Sequence, residues 1–430
     1  MKNAIADAGS YDVVVCGGGP SGLAAAVSAA RCGCRTAIVE RLGFLGGTAT
    51  AGLVVPMSGF FHKGSRVVGG IAWELVERLE AMGAAQVEYP KGHVSVHPEY
   101  WKLAAQRMVQ ENHLELFSNS YLSGCETESG KISAITIVGK NGTERIRGRC
   151  FIDATGDGDL CFLAGVPMQP EDGEMQPLSL CFLLGGVDVT TPLLRDSIHH
   201  NGINGAPSCN AVIHDYLLQC VEEGRLACFG GPWFNTLLKG DTLAVNVTRA
   251  AANGADRAEL TAAELQLRED MFTIVELLRQ GFPEFRNCCI VSSGVNAGIR
   301  QTRRILGLET VTGEDLARGK APACPAAKCA HPMDIHSAKD ACQVLRKLEA
   351  PAYVPHTALI PVGTENLLAA GRCISADRDA YASIRVQATV MCIGEAAGIM
   401  AAMCCQRDCP VSALAPRELM DAFRQRGFVR

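Results

Sequence analysis

At 430 residues the chain exceeds one ordinary domain, so two domains, or one carrying an insertion, are expected. Its 48% hydrophobic and 20% charged content is an ordinary globular composition with material for a large core. A formal net charge of −5 argues against nucleic acid or an anionic membrane surface as the main partner. The opening MKNAIADAGS has no apolar signal region and no run of 18 apolar residues follows, so no membrane span and a cytoplasmic location are expected.

Residues 11–16 form a β-branched apolar run that suits a buried parallel strand. A glycine turn at 17–22 leads into an Ala-rich helix reaching about Cys34, and Thr36–Val39 reads as a second strand ending at Glu40. Together these make one βαβ unit. After a glycine-rich stretch at 43–70, a helix is predicted at 71–82, with Trp73, Leu75, Val76 and Leu79 as its apolar stripe. A further helix starts after Pro98, and from Lys131 a hairpin is predicted around Asn141-Gly142, a dipeptide suited to a type I′ turn.

Residues 165–355 differ in texture: mixed strands, a helix at 258–279, and loops with Pro, Cys and His. The sheet pattern returns at 367–371, and a small-residue helix follows at 384–403. The predicted division is therefore 1–55, 112–164 and 356–430 for a discontinuous nucleotide-binding domain, with 56–111 and 165–355 as a substrate or cap domain.

The 20 cysteines include no C-x-x-C pair, which disfavours a zinc ribbon, thioredoxin-like or ferredoxin-type site. Most sit in apolar runs and read as small reduced hydrophobes. The Cys324…Cys329…His331 spacing matches no standard metal site, and no metal is expected.

Three motifs carry chemistry. In the G-x-G-x-x-G at Gly17, Gly19 and Gly22, the first glycine allows the turn, the second lets backbone approach a pyrophosphate, and the third lets helix pack on strand. Glu40 offers a ribose acceptor and repels a 2′-phosphate, leaving NAD or FAD. The second motif is Asp153-Ala-Thr-Gly-Asp-Gly-Asp at a strand end, and the third is Ala-Gly371-Arg372 followed by Gly394-Glu-Ala-Ala-Gly398. Helix packing through small residues is the competing reading of the last.

Four stretches resemble FAD-dependent oxidoreductases of the glutathione-reductase-like (GR2-type) group: the fingerprint through GFLGGTAT, FIDATGDGDLCFLAGVP, GIRQTRRILG, and YVPHTALIPVGTENLLAAGRCIS with RVQATVMCIGEAAGIMAA. The resemblance implies FAD, with Gly17, Gly19 and Gly22 at the pyrophosphate and Glu40, with Arg41 beside it, at the adenosine ribose. It implies Gly46, Gly47 and Thr48 against pyrophosphate or flavin, and Thr155, Gly156 and Asp157 at the adenosine side. Gly371, Arg372, Gly394 and Ala397 are implied near the ribityl chain and ring. A second G-x-G-x-x-G is absent from the sequence, so electrons come from a small substrate, from a nicotinamide bound otherwise, or from a protein partner.

For proton chemistry, His331-Pro-Met-Asp334-Ile-His336 resembles the family's Pro-x-Asp-x-His segment. His336 is expected as acid/base or substrate ligand, and a hydrogen-bonded structural histidine is the competing reading. Arg300 is a candidate anchor for an anionic or hydroxylated substrate, while Tyr381 and Arg385 precede the flavin-facing helix. His62 is a weaker candidate.

The expected fold is α/β: a Rossmann-like FAD-binding domain of three-layer ββα type with an inserted α+β substrate domain. The expected activity is hydride transfer between a carbon of a small polar, hydroxylated substrate and flavin N5. A fumarate-reductase-like C=C reductase and a non-redox flavoprotein or complex subunit are the rivals. The electron donor or acceptor and a homo-oligomer stay open.

Overall fold

The structure, a computed structural model, describes residues 5–88, 93–170, 173–194, 210–237 and 242–425, which include every site residue expected above. Its centre is a seven-stranded sheet ordered Glu115–Phe117, Thr36–Val39, Ala6–Cys16, Gly142–Asp153, Lys131–Gly139 and Tyr121–Glu128. The seventh strand, Leu367–Ala369, pairs beside the end of Gly142–Asp153. Val13, Val14 and Val15 have no exposed surface, as expected of a strand covered on both faces.

The long strand Gly142–Asp153 serves two partners along one edge. Residues 142–147 pair antiparallel with the preceding hairpin arm, and Phe151–Asp153 pair parallel with Leu367–Ala369. The hairpin is present, but its turn is not type I′: Gly142 takes positive φ (110°) and Asn141 does not. Gly142 itself pairs with Gly139, so the glycine lies in the ladder rather than at the turn centre.

The helix Pro20–Arg31 packs on the long helix Gln387–Arg407 with almost no gap. A Cβ on Gly394 would lie 2.0 Å from the Ser21 carbonyl oxygen, and one on Gly398 would lie 2.3 Å from that of Ala25. Gln387–Arg407 has the length and composition of a membrane span, yet its apolar window is wholly buried inside the fold. The short helix Arg378–Ile384 precedes it, and extended Val386 separates the two.

A second core lies under an antiparallel sheet ordered Trp233–Thr236, Leu243–Asn246, Phe182–Gly185 and Cys289–Ser293. Helices Ala211–Glu222 and Arg257–Gly281 cover it through Ile213, Leu217, Leu267 and Ile274. The expected cap is larger than this core. Helices Gly70–Ala81 and Pro98–Glu111 put Trp73, Leu75, Trp101 and Met108 into the first core, with the fingerprint helix. Residues 311–354 contribute Val311, Leu316, Ala326 and Val354 to it as well. The separate apolar body is thus confined to Leu178–Ile299.

Candidate active site

Two cavities lie near the junction of the cores. The smaller, of about 120 Å³, is a groove at the sheet ends where the fingerprint turn faces Gly371 and Arg372. Gly17 takes φ 105°, and a Cβ there would sit 2.4 Å from the Ala154 carbonyl, so only glycine makes this turn against the adjacent strand. Gly19 differs: a Cβ would find nothing nearer than the Gly47 Cα at 3.9 Å. Its backbone therefore borders open groove.

Pro20–Arg31 begins without a side-chain cap, and so does Gln387–Arg407. Both helices open on this groove through Pro20 and Ser21 and through Gln387 and Val390, and their first-turn N–H groups favour anionic or polar ligand atoms. Glu40 ends its strand buried, accepting hydrogen bonds from the Gly18 N–H (2.7 Å) and the Leu42 N–H (2.9 Å). Burial raises its carboxyl, against the pull of those two donors. Asp157 accepts from Arg372 Nη2 (2.9 Å) and Thr302 Oγ1 (2.7 Å). Burial alone would lower the Arg372 guanidinium, but Asp157 overrides it and holds it fully charged.

The larger cavity, about 490 Å³, lies between the antiparallel sheet (Trp233, Asn235, Val245, Asn246) and the segments 53–63 and 330–348. Its inner wall carries a buried polar cluster. His336 Nε2 is 2.9 Å from Asp334 Oδ2, and His336 Nδ1 is 3.0 Å from Arg249 Nη2. Arginine only donates, so Nδ1 is the acceptor and Nε2 carries the proton toward the carboxylate. The Trp233 ring stands edge-on to the imidazole at 5.4 Å.

Burial and the nearby Arg300 charge drive His336 down to about 3, so it is neutral. Burial would raise the Asp334 carboxyl, but the His336 N–H and the Arg385 charge override it and hold it well below the usual carboxylate range. Arg385 Nη2 donates to the Asp334 carbonyl oxygen (2.9 Å) while Arg385 lines the groove. Gln387 Nε2 likewise reaches back to the Val54 carbonyl oxygen (2.7 Å) behind the larger cavity. Groove and cavity therefore share one wall.

Among the expected cofactor residues, Gly17, Gly19, Glu40, Arg41, Gly47 and Thr48 line the groove, as do Thr155, Gly156, Asp157, Gly371 and Arg372. Gly22 and Gly46 do not: a Cβ on Gly22 would strike the Gly17 carbonyl at 1.8 Å, and one on Gly46 would strike Thr50. Gly394 and Ala397 lie away from the groove. Gly394 is the contact point with Ser21 and Ala397 is fully buried, so this motif serves helix packing, and the groove meets the helix one to two turns earlier, at Gln387 and Val390.

Among the expected proton-handling residues, Arg385, His336 and the weaker candidate His62 border a cavity. Tyr381 is buried and donates its hydroxyl to the Arg300 carbonyl oxygen. Arg300 spends Nη1 on the Pro177 carbonyl oxygen and Ser179 Oγ, both at 2.8 Å. Neither lines either cavity. His336 has both ring nitrogens committed to protein. The residue the sequence did not single out is His331, which lines the larger cavity with Nδ1 donating to the Pro332 carbonyl oxygen (2.8 Å). Its Nε2 lone pair has no partner among the described residues, and burial lowers this histidine too, keeping it neutral.

A family model described as FAD dependent oxidoreductase matches residues 12–423. The chain belongs to the FAD-dependent oxidoreductase family. A geranylgeranyl bacteriochlorophyll reductase-like protein from Thermoplasma acidophilum shares its fold, with TM-score 0.50 and 13% identity over 97% of this chain and 83% of the other. The flavin-dependent brominase Bmp2 matches with the same TM-score, identity and coverage. A dihydrolipoyl dehydrogenase of Trypanosoma brucei brucei is 50% identical over 52 residues, 12% of this chain and 11% of that protein.

FAD is this enzyme's cofactor, and the groove residues fit it. Four buried polar atoms there lack a hydrogen-bond partner among the described residues: Ser21 Oγ, Arg372 Nη1, Arg385 Nη1 and Gln387 Oε1. Leaving such groups unpaired costs about 1–3 kcal/mol each, so the groove is built around a ligand rich in acceptors.

Proposed function

We propose that this flavoprotein oxidises a hydroxyl-bearing carbon of a small molecule in the larger cavity, or reduces the corresponding carbonyl carbon, by hydride transfer to or from flavin N5. The observation that carries this reading is Arg385, which lines the groove and is hydrogen-bonded to Asp334 on the cavity wall. Gly17, Gly19 and the first turn of Pro20–Arg31 would hold the pyrophosphate, with Glu40 and Arg41 toward the adenosine. Arg372 and Gln387 would meet the other half of the cofactor through Nη1 and Oε1.

His331 Nε2 is the base that takes the substrate hydroxyl proton, or returns it in the reverse direction. Asn246 Oδ1, buried without a partner among the described residues at the same cavity, is an acceptor for a substrate hydroxyl. Asp334 and His336 act through position: Asp334 pins Arg385, and His336 holds Asp334 through its Nε2 proton. The four matching stretches support a GR2-type relationship, and the single fingerprint supports reduction of the flavin by the substrate itself; a cytoplasmic location belongs to the same reading.

The test is an anaerobic screen of the yellow protein against alcohols, hydroxy acids and sugars, followed by His331→Gln with the substrate found. The expected loss in bleaching rate is roughly 100-fold, within the usual range for a general base. An unchanged rate in that variant refutes the assignment. A protein that stays colourless with added FAD refutes the whole reading.

A further inference from the structure

The larger cavity is not uniform along its length. Much of its lining is apolar, with Val55, Phe61, Trp233, Val245 and Leu348 supplying aliphatic and aromatic surface beside the polar Ser58, Asn235, Asn246 and Gln343. Such surface gains little from a sugar-like molecule, whose hydroxyls would lose water without finding partners. A volume of about 490 Å³ is within the range that encloses a whole organic ligand.

Charge is distributed unequally. Among the described residues, the ionisable side chains lining the cavity, besides the thiol of Cys181, are Lys63, Lys347, Asp334 and three histidines. Asp334 is the one carboxylate among them, and it is already met by the His336 N–H (2.9 Å) and, at 3.5 Å, by Arg385 Nη2 at the inner wall. The two ammonium groups belong to exposed residues at the mouth and form no ion pair with any described carboxylate. Lys63 Nζ and His62 Nε2 instead converge on one acceptor, the Glu349 carbonyl oxygen, at 2.9 and 3.1 Å. That contact joins the hairpin holding Lys63 to the segment holding Lys347 and puts two unpaired cations over a largely apolar cavity.

We propose that the substrate is an organic carboxylate with a mainly apolar body, its acid group held at the mouth by Lys63 and Lys347 and its reacting carbon inside, beside His331. This rests on the reading of the cavity as the substrate site and replaces a sugar-like substrate with an amphipathic one. The carboxylate pairs with lysines that stay hydrated and mobile, so their attraction is salt-sensitive. The apolar body supplies the salt-independent part of the affinity.

The test uses the FAD-loaded full chain and three probes: 5-phenylpentanoate, 5-phenylpentanamide and gluconate. Binding is read by flavin absorbance perturbation and by calorimetry, without turnover. The acid is expected to bind at least about tenfold more tightly than the amide in dilute salt, with the gap narrowing as NaCl is raised, and gluconate is expected not to bind. The double variant Lys63→Met/Lys347→Met, altered only at exposed positions, should bring the acid to the affinity of the amide. Equal binding of acid and amide by the unaltered protein, preference for gluconate, or no binding of the acid overturns the proposal. Failure to load FAD refutes instead the reading beneath it.

Discussion

His336 gives the sharpest test of the polar wall. It is 5% exposed, and its folded value of about 3 lies far below the ordinary 6.5. A histidine buried in its neutral form binds a proton on unfolding wherever the pH lies between those values. Stability therefore rises with pH through this window: the contribution is complete above about 6.5 and is lost as pH falls toward about 3. Between pH 7 and pH 5 the unfolded chain goes from mostly neutral to almost fully protonated at this site, while the folded chain stays neutral. The difference is about 2 kcal/mol, and it barely depends on the folded value so long as that value lies below about pH 5. His336→Gln keeps a donor for Asp334 and an acceptor for Arg249 but cannot titrate. Urea titrations of both proteins at the two pH values, read by tryptophan fluorescence, should show the unaltered chain losing about 2 kcal/mol more than the variant on acidification. Equal losses would mean that His336 is charged or solvated in the folded state, and the account of the wall would be wrong.

Gly19→Ala should fold with unchanged thermal stability but bind FAD at least about tenfold more weakly, because the new methyl enters open groove. Gly22→Ala should behave oppositely, unfolding at lower temperature because its methyl meets the Gly17 carbonyl at 1.8 Å. Calorimetric melting with FAD titration separates the two, and identical behaviour would contradict the groove. Gly394→Ala should cost at least about 1–3 kcal/mol by forcing the two helices apart at Ser21, with chemical denaturation as the measure. A neutral result there would return Gly394 to the cofactor side.

The nucleotide half was readable because its signals are contiguous. A β-branched run, a glycine turn, an Ala-rich helix and an acid occupy the segment from Tyr11 to Glu40, and each restricts the same local geometry. The packing of Gly394 and Ala397 in the helix seam was not readable for a physical reason: a small residue on a helix admits a ligand or a second helix equally well. Only the neighbour across the seam decides, and Ser21 is that neighbour. The proton-handling residues were harder to rank for a related reason. Whether His336 or His331 is free depends on Arg249, 87 residues before His336. Pro332 also interrupts the alternation that would have sorted the two histidines onto faces. The domain division likewise hung on distant contacts, such as buried Glu395 accepting the Ile71 N–H at 2.9 Å across the chain. No local pattern encodes that.

The mouth of the cavity is built from parts the fold can spare. The Phe61–His62 and Ser65–Arg66 hairpin and the Gln343–Arg346 strand each belong to a two-stranded ribbon outside both large sheets. Lys63 and Lys347 are exposed and carry no core packing. Glycine-tight contacts, by contrast, surround the FAD groove. Change is therefore cheap at one end of the site and prohibitive at the other. Relatives of this chain should diverge in what they accept at the rim while keeping the cofactor seat almost atom for atom, and a designer wanting a new substrate should graft these two ribbons and leave the helix seam alone.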